Sequence, residues 1–131
     1  MPDFNVVQLN DLEDFAAKSG IDTMSFRGAR DALGCERSGL SLQSIAPGVR
    51  QPFGHRHGEE EEIYVILSGA GRVRVDDAEA EVGELDAIRV APGAIRAFEA
   101  GPDGLQMLAF GNVGAGAGDA ETVNGWWGAG G

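Results

Sequence analysis

Cysteine is almost missing from this chain: Cys35 is the only one, so no disulfide can close within it. That suits a reducing compartment, and the cytoplasm is the expected location. Lysine is almost missing too, Lys18 standing against nine arginines, and the formal net charge is −11. A surface of that sign argues against nucleic acid or an anionic membrane as a partner. No apolar run approaches the ~20 residues that a membrane-spanning helix needs. Met1-Pro2-Asp3-Phe4-Asn5 has neither the basic start nor the following apolar stretch of a secretory leader. With 131 residues there is room for one buried core but not for two.

Histidine is scarce as well, and that scarcity makes His55 and His57 the most informative residues present. Side chains alternate along a strand, so positions i and i+2 share a face and their imidazoles can converge on one point. A carboxylate from a neighbouring strand would complete a facial three-ligand metal site. Glu62 lies five residues past His57, an odd offset that one unbroken strand cannot accommodate. Gly58 and the polar Glu59–Glu61 run supply the turn that would bring it round.

The rest of the chain reads as all-β with a short N-terminal helix. Asp11–Lys18 has acidic residues early, a lysine late and Gly20 after it, which predicts that helix. Residues 21–38 are mixed and broken by Gly28 and Gly34, and are expected to be irregular or edge structure. From residue 39 onward strands are expected: Ile63–Leu67 as an apolar run covered on both faces, Arg72–Val75 turning at Asp76-Asp77 into Ala78–Val82, then Leu85–Val90 and Leu105–Phe110. Short strands at regular spacing predict a small antiparallel barrel or jelly roll. The expected layout is an N-terminal segment over 1–38, a barrel over 39–112, and a Gly/Ala-rich linker with a Trp-containing tail over 113–131. Trp126-Trp127 is read as a staple holding that tail to the barrel, in preference to a lid.

Gly48, His55-Arg56-His57, Glu62 and Gly69 together resemble the first signature motif of the cupins, with one extra residue between Gly48 and His55. The stretch from Gly83 through Pro92-Gly93-Ala94 to Phe98 resembles the second. The resemblance covers roughly residues 40–112 and implies a cupin jelly roll and a homodimer. The two-sided apolar strand and the Trp tail support the dimer. It also implies a divalent transition metal, one of Fe, Mn, Zn, Ni or Cu, on His55, His57 and Glu62. The second motif normally carries a fourth ligand, a histidine, with an asparagine four residues later. Arg96 and Ala100 stand at those positions here.

A guanidinium offers no lone pair and cannot coordinate. Either Arg96 forms a forked ion pair with Glu62 and takes the metal's place, leaving a metal-free ligand-binding or structural dimer, or the metal stays on three ligands and Arg96 clamps a small anionic molecule. Oxygenation, isomerisation and decarboxylation all fit the second arrangement. Tyr64 and Ile66 share the parity of Glu62 and are expected to line the cavity. Gln51 stands ready to donate to a ligand, and Phe98 is expected to pack inside the barrel. Glu59, Glu60 and Glu61 are read as a solvated turn, Arg72 and Arg74 as a solvent face, and Cys35 as a small loop or buried residue.

Overall fold

A computed structural model describes residues 3–112 and 119–128. Eight strands make one antiparallel sheet that curls on itself: β1 (Met24–Gly28), β2 (Ser38–Ile45), β3 (Gly54–Arg56), β4 (Glu62–Val75), β5 (Ala78–Gly83), β6 (Ala87–Val90), β7 (Arg96–Asn112) and β8 (Glu121–Val123). Two long strands, β4 and β7, pair with each other along most of their length and organise the rest. The second half of β7 carries β2, and β1 lies outside β2. Its first residue, Arg96, pairs with His55 of β3, and β8 lies outside β3. Register shifts between Ile66 and Ser68 and between Gly69 and Gly71 bend the sheet there. Glycine is required at this crossing, because a Cβ on Gly69 or Gly71 would run into the backbone of Gly104 or Glu99.

The curl encloses one core of Ile45, Tyr64, Ile66, Val73, Val82, Val90, Phe98, Leu105 and Met107, with alanines between them. Tyr64 and Phe98 meet edge to face at 4.8 Å between ring centroids. Each large side chain buried here contributes about 1.5–3 kcal/mol relative to exposure. The expected two-sided cover of Ile63–Leu67 is uneven: Tyr64 and Ile66 are sealed in the core, whereas Ile63, Val65 and Leu67 are only half-buried on the outer face.

Several local expectations shift. The helix is a single turn, α1 (Phe15–Lys18), preceded by a 3-10 turn at Leu9–Asp11. It starts late because Asp14 is its cap, accepting from the Ala16 N–H at 3.0 Å while also accepting from Phe26 N–H of β1 at 2.9 Å. That same bond helps order β1, which is an edge strand of the sheet, as this stretch was expected to supply, and a one-turn helix, α2 (Arg30–Leu33), follows, ending at Gly34. Leu105–Phe110 is the second half of the 17-residue β7, which bends through Gly101–Gly104 without ending. No helix among the described residues is long and apolar enough to cross a membrane.

The described end of the chain is fastened along β3. Trp126 stacks on the Arg74 guanidinium at 4.3 Å and packs so closely on Gly54 that a Cβ there would meet its ring at 2.7 Å. Trp127 donates from Nε1 to the Gln51 carbonyl at 2.8 Å, and Arg50 lies over its ring at 4.7 Å. Arg74, expected on a solvent face, is thus spent on Trp126, whose carbonyl it also reaches at 2.9 Å. Residues 113–118 of the expected linker lie outside the described residues.

Candidate metal centre

The turn after His57 forms as its composition requires: β3 stops at Arg56, residues 57–61 reverse the chain, and β4 opens on Glu62. Glu62 Oε1 then lies 3.5 Å from His55 Nε2 and 3.6 Å from His57 Nε2. Ligand atoms bound at about 2.1 Å to one ion stand roughly 3.0–3.4 Å apart, so both of these separations are close to those of atoms sharing a metal. Among the described residues, His55, His57 and Glu62 form one of two clusters with ligand atoms within 4.8 Å of one another.

Two carboxylates sit behind His57, on its other nitrogen. Asp119 Oδ1 is 2.9 Å from His57 Nδ1, and Glu60 Oε2 is 3.1 Å from it. In the neutral ring they hold the proton on Nδ1 and leave the Nε2 lone pair facing Glu62 and His55. His57 Nε2 is buried and has no hydrogen-bond partner. An orphaned imidazole nitrogen held this way matches the carboxylate–histidine–metal arrangement, so the residues present fit a metal.

The electrostatics are those of a packed charge cluster. Burial pushes the Glu62 carboxyl upward, but the neighbouring His55 and His57 imidazoles and the Tyr64 hydroxyl outweigh it and hold the group well below the usual carboxylate range. Burial pulls His57 down, and the carboxylates of Glu62, Asp119 and Glu60 more than reverse this, leaving it raised. Glu60 is raised by burial. Asp119 is lowered, first by the Glu59 N–H that it accepts at 2.8 Å and then by His57. Tyr64 is raised by burial and by the Glu62 charge.

The other expected site residues divide. Tyr64 is 1% exposed and donates its hydroxyl to Glu62 Oε1, and its hydroxyl oxygen lies 3.4 Å from His55 Nε2. It supports the cluster from behind. Arg96 is also behind, 0% exposed, and the forked pair with Glu62 does not form: a single approach, Nε to Oε1, is 3.9 Å. Its Nη1 donates to the carbonyls of Ala94 at 3.1 Å and His55 at 3.4 Å, while Nε and Nη2 have no partner. Gln51 lines a cavity of about 300 Å³ together with His55, His57 and Glu62. A second cavity of about 370 Å³ lies on the other side of His57 and Glu62, against Glu60 and Asp119. A third hollow, about 610 Å³ beside α1 and β1, touches none of these side chains.

Glu60 and Asp119 are the residues that the sequence reading missed. Glu60 was expected in a solvated turn, yet it is 9% exposed, because Gly111 opposite has no side chain: a Cβ there would meet the Glu60 carboxyl at 2.7 Å. Asp119 arrives with β8, distant in sequence and in a stretch without a motif. The one available signal for Glu60 is its i+3 spacing from His57.

The family model for the cupin domain matches residues 41–110, more than half of the chain. The chain is a cupin. Among characterised relatives of this cupin, beta-D-galactosidase Rv1717 of Mycobacterium tuberculosis is 35% identical over 89 residues, 67% of this chain and 73% of that one. Among solved structures, a cupin protein from Bacteroides fragilis superposes with a TM-score of 0.71 at 25% identity, covering 90% of this chain and 92% of the other. The polyketide cyclase RemF from Streptomyces resistomycificus gives a TM-score of 0.72 at 22% identity over 92% and 84%, a likeness of fold alone.

Proposed function

We propose that this cupin binds one divalent transition metal (Fe, Mn, Zn, Ni or Cu) through His55, His57 and Glu62, and acts on or captures a small anionic organic molecule seated in the adjoining cavity. The observation that carries the reading is His57: buried, fixed by carboxylates on Nδ1, and unpartnered on Nε2. A bound ion would supply Lewis-acid polarisation of an oxygen on that molecule.

The protein's own residues divide the remaining work. Asp119 and Glu60 orient His57. Tyr64 holds the Glu62 carboxylate by a hydrogen bond. Arg96 places a permanent positive charge 3.9 Å from Glu62, and its free Nε–H and Nη2–H suit an anionic oxygen on the inner side of the cluster. Gln51 presents a carboxamide at the cavity wall.

Fold does not choose the reaction. The relative named as a β-D-galactosidase makes cleavage of a β-galactoside one activity to assay, beside turnover of small organic acids with and without oxygen.

A metal-free reading has its own support, since Glu62 already accepts from Tyr64 and lies near Arg96. Elemental analysis of the tag-free wild type and of Arg96→His separates the two. Near one transition metal per chain in the wild type, lost in His57→Ala, is the expected result. An empty wild type beside a filled Arg96→His would mean that the arginine has displaced the ion, and the metal reading would be abandoned.

The homodimer belongs to the same proposal, and an apolar face supports it. Ile63, Val65 and Leu67 of β4, with Leu108 and the 47%-exposed Phe110 of β7, leave an apolar outer face half-covered.

A further inference from the structure

The cavity beside His55, His57 and Glu62 differs in chemistry from the cluster at its end. Its volume, about 300 Å³, is at the lower limit of small-molecule sites, roughly 300–1,000 Å³. Phe15, Phe26 and Phe53 form much of the wall, with Ile21 and Met24 between them. Apart from the three cluster residues, no lining side chain is charged.

Of the polar side chains that remain, the carboxamides of Gln51 and Gln43 are already engaged, and the hydroxyls of Ser19 and Thr122 complete the wall. Gln51 Oε1 accepts from the Phe98 N–H at 2.9 Å, and Gln51 Nε2 reaches Gln43 Oε1 at 3.5 Å. Gln43 Nε2 donates to Ser41 Oγ at 3.1 Å. A ring bearing many hydroxyl groups would therefore surrender water to phenylalanine faces with only two hydroxyls, those of Ser19 and Thr122, to replace it, a costly exchange. A phosphate ester would meet no lysine or arginine on the wall. Arg96 lies behind the cluster, wholly buried, and is not on this wall. A divalent ion held beside the Glu62 carboxylate would leave one net positive charge at this end, which suits one anionic group.

Resting on the metal reading above, we infer that the site takes a ring-bearing organic monoanion, its carboxylate or enolate head at the His55–His57–Glu62 end and an uncharged aromatic-sized body against Phe15, Phe26 and Phe53. The ring buries apolar area against apolar area, and the head supplies the single charge that the cluster is built to receive.

The test uses the full chain loaded with Zn(II) and ligand-observed NMR titrations of benzoate, acetate, inorganic phosphate and methyl β-D-galactopyranoside. Benzoate should bind at least tenfold more tightly than acetate, with no saturable binding of phosphate or galactoside over the same range. Phe15→Ala, at a position already 45% exposed, should weaken benzoate at least threefold without altering acetate affinity or zinc content. Phe53→Leu is the second variant and should weaken benzoate in the same way.

If zinc binds but benzoate fails to bind, shows no advantage over acetate, or is surpassed by the galactoside, the ligand class is wrong and the metal site stands. If zinc does not bind yet benzoate keeps its advantage and its dependence on Phe15, the metal reading is wrong and the ligand class stands.

Discussion

Asp119 offers the sharpest test of how His57 is held. Removing a hydrogen-bonded partner behind a metal-bound histidine typically lowers metal affinity 10–100-fold, about 1.4–2.7 kcal/mol. Here the Nδ1–H has two acceptors, Asp119 at 2.9 Å and Glu60 at 3.1 Å, so either can take over when the other is lost. Asp119→Ala alone should therefore fall near the low end, about tenfold weaker, and Glu60→Ala likewise. The double variant frees the ring and should reach about 100-fold. Asp119→Asn keeps an acceptor oxygen and should stay within about threefold of wild type. Competition for Zn(II) against a chromophoric chelator reads these affinities, and Co(II) absorption checks that the coordination number is unchanged. A double variant that binds zinc as tightly as wild type would refute the positioning argument. A full 100-fold loss in Asp119→Ala alone, with the fold intact, would refute the substitution of one carboxylate for the other.

Asp14→Ala removes the cap of α1 and the Phe26 bond. It should cost about 1 kcal/mol at neutral pH, a fall in Tm of roughly 3–5 °C. The Phe26 N–H, helped by those of Ala16 and Ala17 and by Arg27, holds the Asp14 carboxyl below its ordinary value against a smaller effect of burial. That stabilisation is fully present above the usual carboxylate range and disappears as pH falls through the lowered value, so melts of wild type and variant should converge in acid. Tyr64→Phe deletes a buried donor to Glu62 and should lower stability by about 1–3 kcal/mol, measured by urea unfolding, with equal stability refuting the bond. Trp126→Ala should cost about 1–2 kcal/mol, measured by urea unfolding; unchanged stability would count against the staple. Phe110→Glu should convert a dimer to a monomer by sedimentation if the outer face of β4 and β7 is the interface, and a surviving dimer would place it elsewhere.

What was readable in the chain, and what was not, follows from the range of the interactions involved. Strand parity is local, so His55 and His57 fell on one face, Glu62 required a turn, and Tyr64 and Ile66 were assigned to the interior; each statement needed only a few consecutive residues. β1 was legible only as irregular or edge structure, because its order comes from pairing with β2 and from Asp14 twelve residues before Phe26. The same limit explains the acidic turn. Glu59, Glu60 and Glu61 are indistinguishable by composition, and Glu60 turns inward only because Gly111, 51 residues further on, leaves space beside His57. Asp119 depends on β8 lying against β3, a pairing with no signal in the residues between them. Arg96 combines both situations. Its position opposite His55 is set by strand register, and the motif anticipated it; its environment is set by tertiary packing, which buries the guanidinium behind the cluster with two N–H groups unpartnered. Those two groups are what motivates the anion in the function we propose: Arg96 cannot ligate, approaches Glu62 only through Nε at 3.9 Å, and keeps two N–H donors without a hydrogen-bond partner.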